Sequence, residues 1–293
     1  MPPSRSRVAS RPRPPSGARR VATDTPFRDI SVPPTEVRAP GPRRPDPAAP
    51  HRPATDAHPL LAAHGGRLTV EHLGTVPYRP TWELQDELAD QRRRRRIGDR
   101  LLLLEHFPVY TIGRGGDQAN MLATPERLRD LGAELIRIDR GGDITFHGPG
   151  QIVAYPIVEL ADPLDLRRYV RTLEEAVMQT AAAFGVASGR LDGHPGIWVD
   201  GDRKLAAVGV RVKRGVTTHG LALNVNTNLR WFDETVPCGI RGKGVTSLSR
   251  ERGLELPTDD VADELARQLA THLGLRLGDG PHHARGPAGG REQ

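Results

Sequence analysis

The stretch GIWVDGDRKLAAVGVRV, residues 196–212, predicts two neighbouring strands joined by a tight turn. Asp200 and Gly201 lie between two apolar runs and supply the positive φ angles that such a turn requires. The turn puts Lys204 at the start of the second strand. A lysine there is usually a solvated charge at a strand end, but beside an apolar run it can be partly desolvated, which suits it to proton transfer.

The elements around this hairpin predict the fold class. Hydrophobic periodicity indicates further strands and four helices, the last helix beginning at a Thr258 cap. The strands come in pairs between separated helices, which favours an α/β (α+β) fold with a mixed β-sheet flanked by helices in a single domain. The predicted strands are 67–74, 101–107, 134–140, 151–160 and 219–226, and the predicted helices are 82–96, 125–132, 165–185 and 258–274.

The N-terminal segment 1–65 differs in composition from the rest of the chain. It holds 15 of the 27 prolines and eleven arginines against five acids, a net charge of +6 that equals the net charge of the whole chain. Such a segment cannot bury enough apolar surface to offset its ordering entropy, so we expect 1–65 to be disordered. A solvated extension or a start codon assigned too far upstream is favoured over a tail that binds nucleic acid or a membrane surface, and the prolines argue against a transit peptide. Residues 66–278 then form the folded domain, and 279–293 a flexible Gly/Pro-rich tail.

Cys238 is the only cysteine of the 293 residues, which excludes a disulfide framework and fits a reducing compartment. The sequence has neither an apolar run of about 18 residues nor an apolar region just after the N-terminus. It therefore predicts neither a membrane span nor a secretory signal. We therefore expect a soluble, cytoplasmic protein.

The stretch TVPCGIRGKGVTSL, residues 235–248, surrounds that cysteine. A lone cysteine is most often a small core residue. Here Pro237 and Gly239 indicate a turn near the surface, and the cations Arg241 and Lys243 favour the reactive thiolate. From the flanks alone, a structural thiol and a nucleophile both remain open.

A second glycine-rich stretch, RGGDITFHGPGQ, residues 140–151, connects two predicted strands. Its four glycines let the backbone approach a ligand, while Arg140 and His147 add a cation and a titratable donor. A plain turn is an equally good interpretation of this segment alone. It matches neither a phosphate-binding P-loop nor a G-x-G-x-x-G fingerprint, and the chain shows no zinc-ligand spacing, so we expect no metal and no cofactor.

Four blocks, in order, together resemble the lipoyl(octanoyl) transferases, which are octanoyl-carrier-protein:protein N-octanoyltransferases. The resemblance covers about residues 66–275 and implies the fold of the biotin/lipoate protein ligase catalytic domains. The blocks are RGGDITFHGPGQIVAYP (140–156), KLAAVGVRV (204–212), HGLALNVN (219–226) and PCGIRGKGVTSL (237–248).

The resemblance also implies roles for individual residues. Cys238 would carry the acyl group as the nucleophile, and Lys204 would lower the pKa of that cysteine and act as acid and base. The start of the first block, 140–147, and two small-residue triplets would line the substrate pocket. These substrate-binding residues are Arg140, Gly141, Gly142, Asp143, Ile144, Thr145, Phe146, His147, Ala207, Val208, Gly209, Gly220, Leu221 and Ala222.

The same resemblance implies the partners. Octanoyl-acyl carrier protein would be the donor, and lipoyl domains of 2-oxoacid dehydrogenase complexes and the glycine cleavage H protein the acceptors, with no nucleic acid and no membrane involved. The run Arg92–Arg96 offers a basic docking patch for acidic partners, and a solvated helix end explains it equally well. Two rival functions are an ATP-dependent lipoate or biotin ligase, which needs no cysteine nucleophile, and a non-catalytic acyl-binding module.

Overall fold

This computed structural model describes residues 60–62, 66–236 and 242–278. Most of these residues lie in strands and helices. The α-helices are α1 (Tyr78–Arg93), α2 (Pro125–Asp130), α3 (Leu166–Ala183), α4 (Leu248–Arg252) and α5 (Thr258–Leu273). The strands are β1 (Arg67–Val76), β2 (Asp99–His106), β3 (Val109–Ile112), β4 (Glu134–Arg137), β5 (Ile144–His147), β6 (Gln151–Ile157), β7 (Gly189–Leu191), β8 (His194–Val199), β9 (Arg203–Lys213), β10 (Val216–Asn224), β11 (Gly244–Val245) and β12 (Arg276–Gly278).

These strands form one large and one small sheet. The large sheet has the order β12-β1-β2-β6-β10-β9-β8-β7, with β11 added in parallel to β9. Strand β1 pairs in parallel with β12 and with β2. The pairs β2–β6, β6–β10, β10–β9 and β9–β8 are antiparallel. The small sheet has the order β4-β3-β5. The predicted mixed sheet flanked by helices is confirmed, although the sequence patterns did not separate the two sheets.

The main hydrophobic core joins the large sheet to α3 and α5. Tyr169 and Leu173 of α3 and Leu265 and Leu269 of α5 are completely buried in it. The apolar side chains recur at helical spacing, so each helix turns one continuous face to the sheet. A smaller cluster packs Leu88 of α1 against the other face of β2 and β6. The large sheet is therefore covered on both faces. Among the helices described, none is both long and apolar enough to cross a membrane.

The predicted hairpin is present, with its turn at the expected residues. Asp200 and Gly201 have φ angles of 52° and 64° and connect β8 to β9. The predicted cap of the last helix is wrong: the N-cap is Pro257, and the Thr258 hydroxyl accepts a hydrogen bond from Asn226 instead. Helix α1 begins at Tyr78 rather than at residue 82, because Pro80 falls within the first turn, where a missing N–H costs nothing.

Residues 60–62 belong to the fold, although the sequence predicted disorder up to residue 65. Leu60 and Leu61 are buried in the main core, and Leu61 bridges to Leu160 in antiparallel fashion. Two backbone hydrogen bonds, from Ala62 N–H to Glu159 and from Ala161 N–H to Leu60, support this bridge. Residues 60–62 are thus packed in the core, contrary to the predicted disorder. The disorder predicted for the rest of 1–65 and for 279–293 falls outside the described residues.

The run Arg92–Arg96 does not form a continuous exposed patch. Arg92 is 1% exposed and lies between the carboxylates of Asp99 and Glu159, each 2.7 Å away. The side chain of Arg92 thereby ties the end of α1 to the sheet. Since it is buried and paired, Arg92 cannot contribute to the docking patch that the sequence suggested. Arg94, Arg95 and Arg96 are exposed.

Candidate active site

A cavity of about 470 Å³ lies between the large sheet and the segment 140–147. This volume falls within the range of about 300–1,000 Å³ that is typical of small-molecule sites. Lys204 and every predicted substrate-binding residue except Phe146 line it, so the cavity gathers residues that are far apart in the sequence. Its other lining residues are Tyr78, Gly115, Tyr155, Leu166, Val170, Gly193, His194, Pro195, Val210 and His219.

Small residues on β9 and β10 form the floor of this cavity. Ala207 pairs with Ala222, and Gly209 pairs with Gly220. A Cβ atom on Gly220 would lie 2.1 Å from the carbonyl oxygen of Ala154, and one on Gly209 would lie 2.9 Å from the Cδ atom of Arg140. Both positions require glycine because other segments of the same chain approach them closely, and the missing side chains leave space for the cavity.

A β-bulge turns Lys204 toward the cavity. Ile197 pairs with Ala206, but the next residue, Trp198, pairs with Lys204, so Leu205 is the extra residue on β9. Leu205 and Ala206 both belong to the main core, whereas Lys204 shares the opposite face with Trp198. Bulges often re-aim a side chain beside an active site. Without this one, Lys204 would point into the apolar core.

Arg140 and Asp143 brace the segment that covers the cavity. The guanidinium of Arg140 donates to the carbonyl oxygen and to the hydroxyl of Thr111 on β3, each at 2.8 Å. The carboxylate of Asp143 accepts from the side chain of Asn120 at 2.6 Å and from the backbone N–H of Asp117 at 3.2 Å. Asp143 therefore fixes the neighbouring loop as well as lining the cavity.

His147 is held as a neutral imidazole. The amide N–H₂ group of Gln151 donates to Phe146 and to Asn224, so its carbonyl oxygen accepts the Nδ1–H of His147 at 2.8 Å. Burial lowers the pKa of His147 well below its ordinary value. The Nε2 atom of His147 is left as an acceptor facing Thr111 at 3.4 Å. In this tautomer His147 has no N–H to offer to an oxyanion.

Phe146 is the one predicted binding residue that is not among the lining residues of the cavity. Its ring stacks on Trp231 with a centroid distance of 4.9 Å and packs edge-to-face on Phe232. Because β5 alternates its side chains, Phe146 points into the small core beneath, away from Thr145 and the cavity. It supports the segment from below.

Polar residues at one end of the cavity were not assigned from the sequence. Tyr78, Tyr155 and His219 line it, and His219 adopts a positive φ of 57°. The Nε2–H of His219 donates to Asp139 at 2.9 Å, and this hydrogen bond lowers the pKa of Asp139. The available signal was a polar side chain inside each of two apolar strand patterns, at 155 and 219.

Cys238 and Arg241 lie outside the described residues, so the prediction for Cys238 rests on sequence. Val245, seven residues after Cys238 in the sequence, pairs with Lys204 across β11 and β9. Lys243 donates to the carbonyl oxygen of Gly201 at 2.7 Å. This contact fixes Lys243 on the β8–β9 turn and argues against a role as activator of the thiol.

Comparison with known proteins adds to this geometry. A family model described as the lipoyl protein ligase A/B catalytic domain matches residues 77–270. The chain belongs to this family. The octanoyltransferase of Corynebacterium efficiens is 48% identical to this family member over 235 residues, which are 78% of the chain and 91% of the relative. The octanoyltransferase of Rubrobacter xylanophilus is 51% identical over 203 residues, 69% of the chain and 91% of the relative.

The fold of this lipoyl protein ligase A/B family member has solved counterparts. One is a bi-partite lipoate protein ligase from Thermoplasma acidophilum, solved in a study that also covered its E2 lipoyl domain; the TM-score is 0.60 at 17% identity, over 73% of this chain and 87% of that chain. This likeness concerns the fold alone. It confirms the predicted ligase-like architecture, and the octanoyltransferase relatives make this family member an acyltransferase.

Proposed function

We propose that the protein transfers an octanoyl group from octanoyl-acyl carrier protein to a lysine of lipoyl domains, through a thioester on Cys238. The observation that carries this proposal is the buried Lys204, aimed by the bulge into a cavity with a floor of alanine and glycine. Lys204 is 7% exposed, and the apolar side chains of Val208 and Val210 line the cavity beside the alanines and glycines, which suits an acyl chain.

The chemistry proceeds in two balanced steps. The Cys238 thiolate attacks the carbonyl carbon of the donor thioester, the bond to the pantetheine sulfur breaks, and Lys204 gives that sulfur a proton. The amine of the acceptor lysine then attacks the enzyme thioester, the bond to the Cys238 sulfur breaks, and Lys204 accepts the proton lost by the amine. The first step exchanges one thioester for another, and the second is downhill because an amide forms.

This scheme requires neither ATP nor a metal ion, since the donor thioester is already activated. Stabilisation of the tetrahedral oxyanion would fall to backbone N–H groups of the glycine-rich segments. The acceptors that we propose are the lipoyl domains of 2-oxoacid dehydrogenase complexes and the glycine cleavage H protein. The reaction would take place in the cytoplasm.

A single experiment separates this function from its rivals. The protein is incubated with octanoyl-acyl carrier protein without ATP, and intact mass with peptide mapping is expected to show an added mass of about 126 Da on Cys238. Adding a lipoyl domain should then move that mass to the domain. An ATP-dependent ligase would give octanoylated domain only with free octanoate and ATP, and a binding module would give none.

Variants test the two assigned residues. Cys238→Ser is expected to abolish the adduct, and Lys204→Ala to slow its formation by about 10²–10⁴-fold, the usual contribution of a general acid or base. Lys213→Ala is the matched control, because Lys213 is an exposed lysine near the far end of the same strand. Full transfer by Lys204→Ala would overturn the role of this lysine.

A further inference from the structure

The side chain of Lys204 lies over the face of an indole ring. Its Nζ atom is 4.6 Å from the ring centroid of Trp198. Trp198 is 2% exposed, so this contact takes place away from bulk water. An ammonium group over the face of an aromatic ring is attracted by the negative face of the π-system, most strongly by tryptophan, whereas a neutral amine gains little.

Two further contacts fix the ring in this position. The Nε1–H of Trp198 donates to the carbonyl oxygen of His194 at 3.2 Å, which sets the ring plane. The N–H of Gly196 donates to the buried carboxylate of Glu174 on α3 at 3.1 Å. A Cβ atom on Gly196 would lie 3.5 Å from the Cε atom of Lys204 and 2.5 Å from the oxygen of Ala206, so only glycine lets β8 approach the lysine this closely.

The other charged or titratable side chains around the cavity have partners within the described residues. Asp143 bonds Asn120, His147 bonds Gln151, and His219 bonds Asp139. On the neighbouring turn, Arg203 pairs with Asp200 and Glu251. Arg140 bonds Thr111 and Tyr155 bonds His106, and Tyr78 and His194 are the other titratable groups among the described residues that line the cavity. Trp198 is the aromatic group placed to distinguish the charged from the neutral form of Lys204.

We propose that Trp198 is a positioning residue for Lys204, whose indole face stabilises the protonated amine and orients it toward the cavity. The inference rests on the proposed function for its catalytic meaning, because Lys204 must be protonated at the moment when Cys238 is a thiolate. In the resting enzyme of this scheme, Cys238 and Lys204 hold one proton between them, and that proton resides on the amine of Lys204 while Cys238 is a thiolate. Stabilising the ammonium therefore raises the fraction of enzyme with an ionised cysteine, and also provides the proton for the departing pantetheine sulfur.

The lysine content of the chain makes a direct test possible. Lys204, Lys213 and Lys243 are the only lysines in the sequence. Full-length protein grown with [ε-¹³C]lysine should give three signals by NMR, and Lys204→Arg assigns one of them. Lys213 and Lys243 are internal controls in every sample.

Titration of these signals is compared between the natural protein and Trp198 variants. In Trp198→Leu the midpoint for Lys204 is expected to fall by about 0.7 to 1.5 pH units, which is a loss of about 5- to 30-fold in proton affinity, while the control lysines stay unchanged. Trp198→Phe keeps a weaker aromatic face and should fall in between. An unchanged Lys204 midpoint in a folded Trp198→Leu protein would overturn the proposal.

A shape-preserving substitution guards against a variant that fails to fold. Biosynthetic replacement of tryptophan by fluorinated tryptophan weakens the ring face with little change of volume, and should lower the Lys204 midpoint progressively with the number of fluorines. A midpoint that does not respond to fluorination would show that Trp198 acts through packing alone, and the proposal would be wrong.

The rate of Cys238 octanoylation against pH separates this inference from the proposed function. Trp198→Leu should shift the rising limb of that profile to higher pH by the same interval as the NMR midpoint. If the natural protein forms no adduct while the Lys204 midpoint still responds to Trp198, the proposed function fails and the Trp198 contact stands. If the adduct forms and neither profile moves, the inference alone fails.

Discussion

His106 is a completely buried histidine whose titration links stability to pH. Its Nδ1–H donates to Val76, and its Nε2 atom accepts from the hydroxyl of Tyr155. Burial lowers the pKa of His106 to about 4, against about 6.5 for an unfolded histidine. Between these values the unfolded chain binds the proton and the folded one does not, so the stability is fully present above pH 6.5 and is lost as the pH falls toward 4.

We therefore predict a smaller acid sensitivity for His106→Gln. The free energy of unfolding of the natural protein should fall by up to about 3 kcal/mol more than that of the variant between pH 7 and pH 4. Urea unfolding at the two pH values measures the difference. Tyr155→Phe is the control, because it removes a partner of His106 but keeps the imidazole, and so should keep the pH dependence. Equal slopes for His106→Gln and the natural protein would contradict the prediction.

Individual residues could be located from the sequence where their type and their sequence neighbours indicate their chemistry. The glycines and alanines of the cavity floor and Lys204 could be located from the blocks that contain them. The contact between Lys204 and Trp198 could not, because it depends on a bulge that no residue type announces. Phe146 could not be separated from Thr145, since both lie in the same motif and only strand alternation sends them to opposite sides.

Helix α1 is tied to the large sheet by one buried ion pair at its C-terminal end. Arg92 is paired with Asp99, and both side chains are 1% exposed. Burial raises the pKa of Asp99 in spite of the arginine, so the charged carboxylate depends on its partner. Removing one member of such a pair leaves an uncompensated buried charge.

Arg92→Ala is accordingly predicted to lower the free energy of unfolding by about 3–5 kcal/mol. Its neighbour Arg93 pairs with the more exposed Asp90, and Arg93→Ala should cost less than about 1 kcal/mol. Chemical denaturation at pH 7 compares the two variants. Similar losses for both would show that the buried pair does not anchor the helix.

Long periodic elements could be predicted from the sequence, whereas several short strands could not. Helices α3 and α5 carry enough apolar positions to define a face over 18 and 16 residues. Strands β3 and β5 have four residues each and pair with one another, so their order comes from partners distant in the chain. For this reason the segment 140–151 was interpreted as a loop, although it contains β5.

The described part of the fold includes the leucine bridge at residues 60–62, ahead of the predicted start at residue 66. We predict that a chain lacking residues 1–59 keeps its stability and its transfer activity. A chain lacking 1–65 also loses Leu60 and Leu61, and each buried leucine contributes about 1.5–3 kcal/mol. Thermal unfolding and the octanoyl transfer assay compare the two truncations.

The pair of truncations also tests where the charge is carried. The removed segment holds all of the net charge of +6, so the shorter chains should no longer bind a cation exchanger at neutral pH. Loss of stability in the 1–59 deletion would contradict the predicted boundary, and equal stability of both truncations would contradict the role of the bridge. Composition predicted the change from an Arg/Pro-rich segment to a folded domain near residue 65. Leu60 and Leu61 are only two apolar residues, too few to be distinguished from that segment by pattern.

Because of the bulge at Leu205, the side of the sheet that Lys204 faces depends on whether the number of residues before Ala206 is odd or even. A strand sends alternate residues to opposite sides, so the number of residues between the β8–β9 turn and Ala206 decides whether the amine faces the cavity or the apolar core. Loss of the codon for Leu205 alone would turn the bulge into a regular ladder in which Lys204 still lies opposite Trp198, so the amine would keep its side. A regular ladder that retained Leu205 would instead place Leu205 opposite Trp198 and turn Lys204 toward the core.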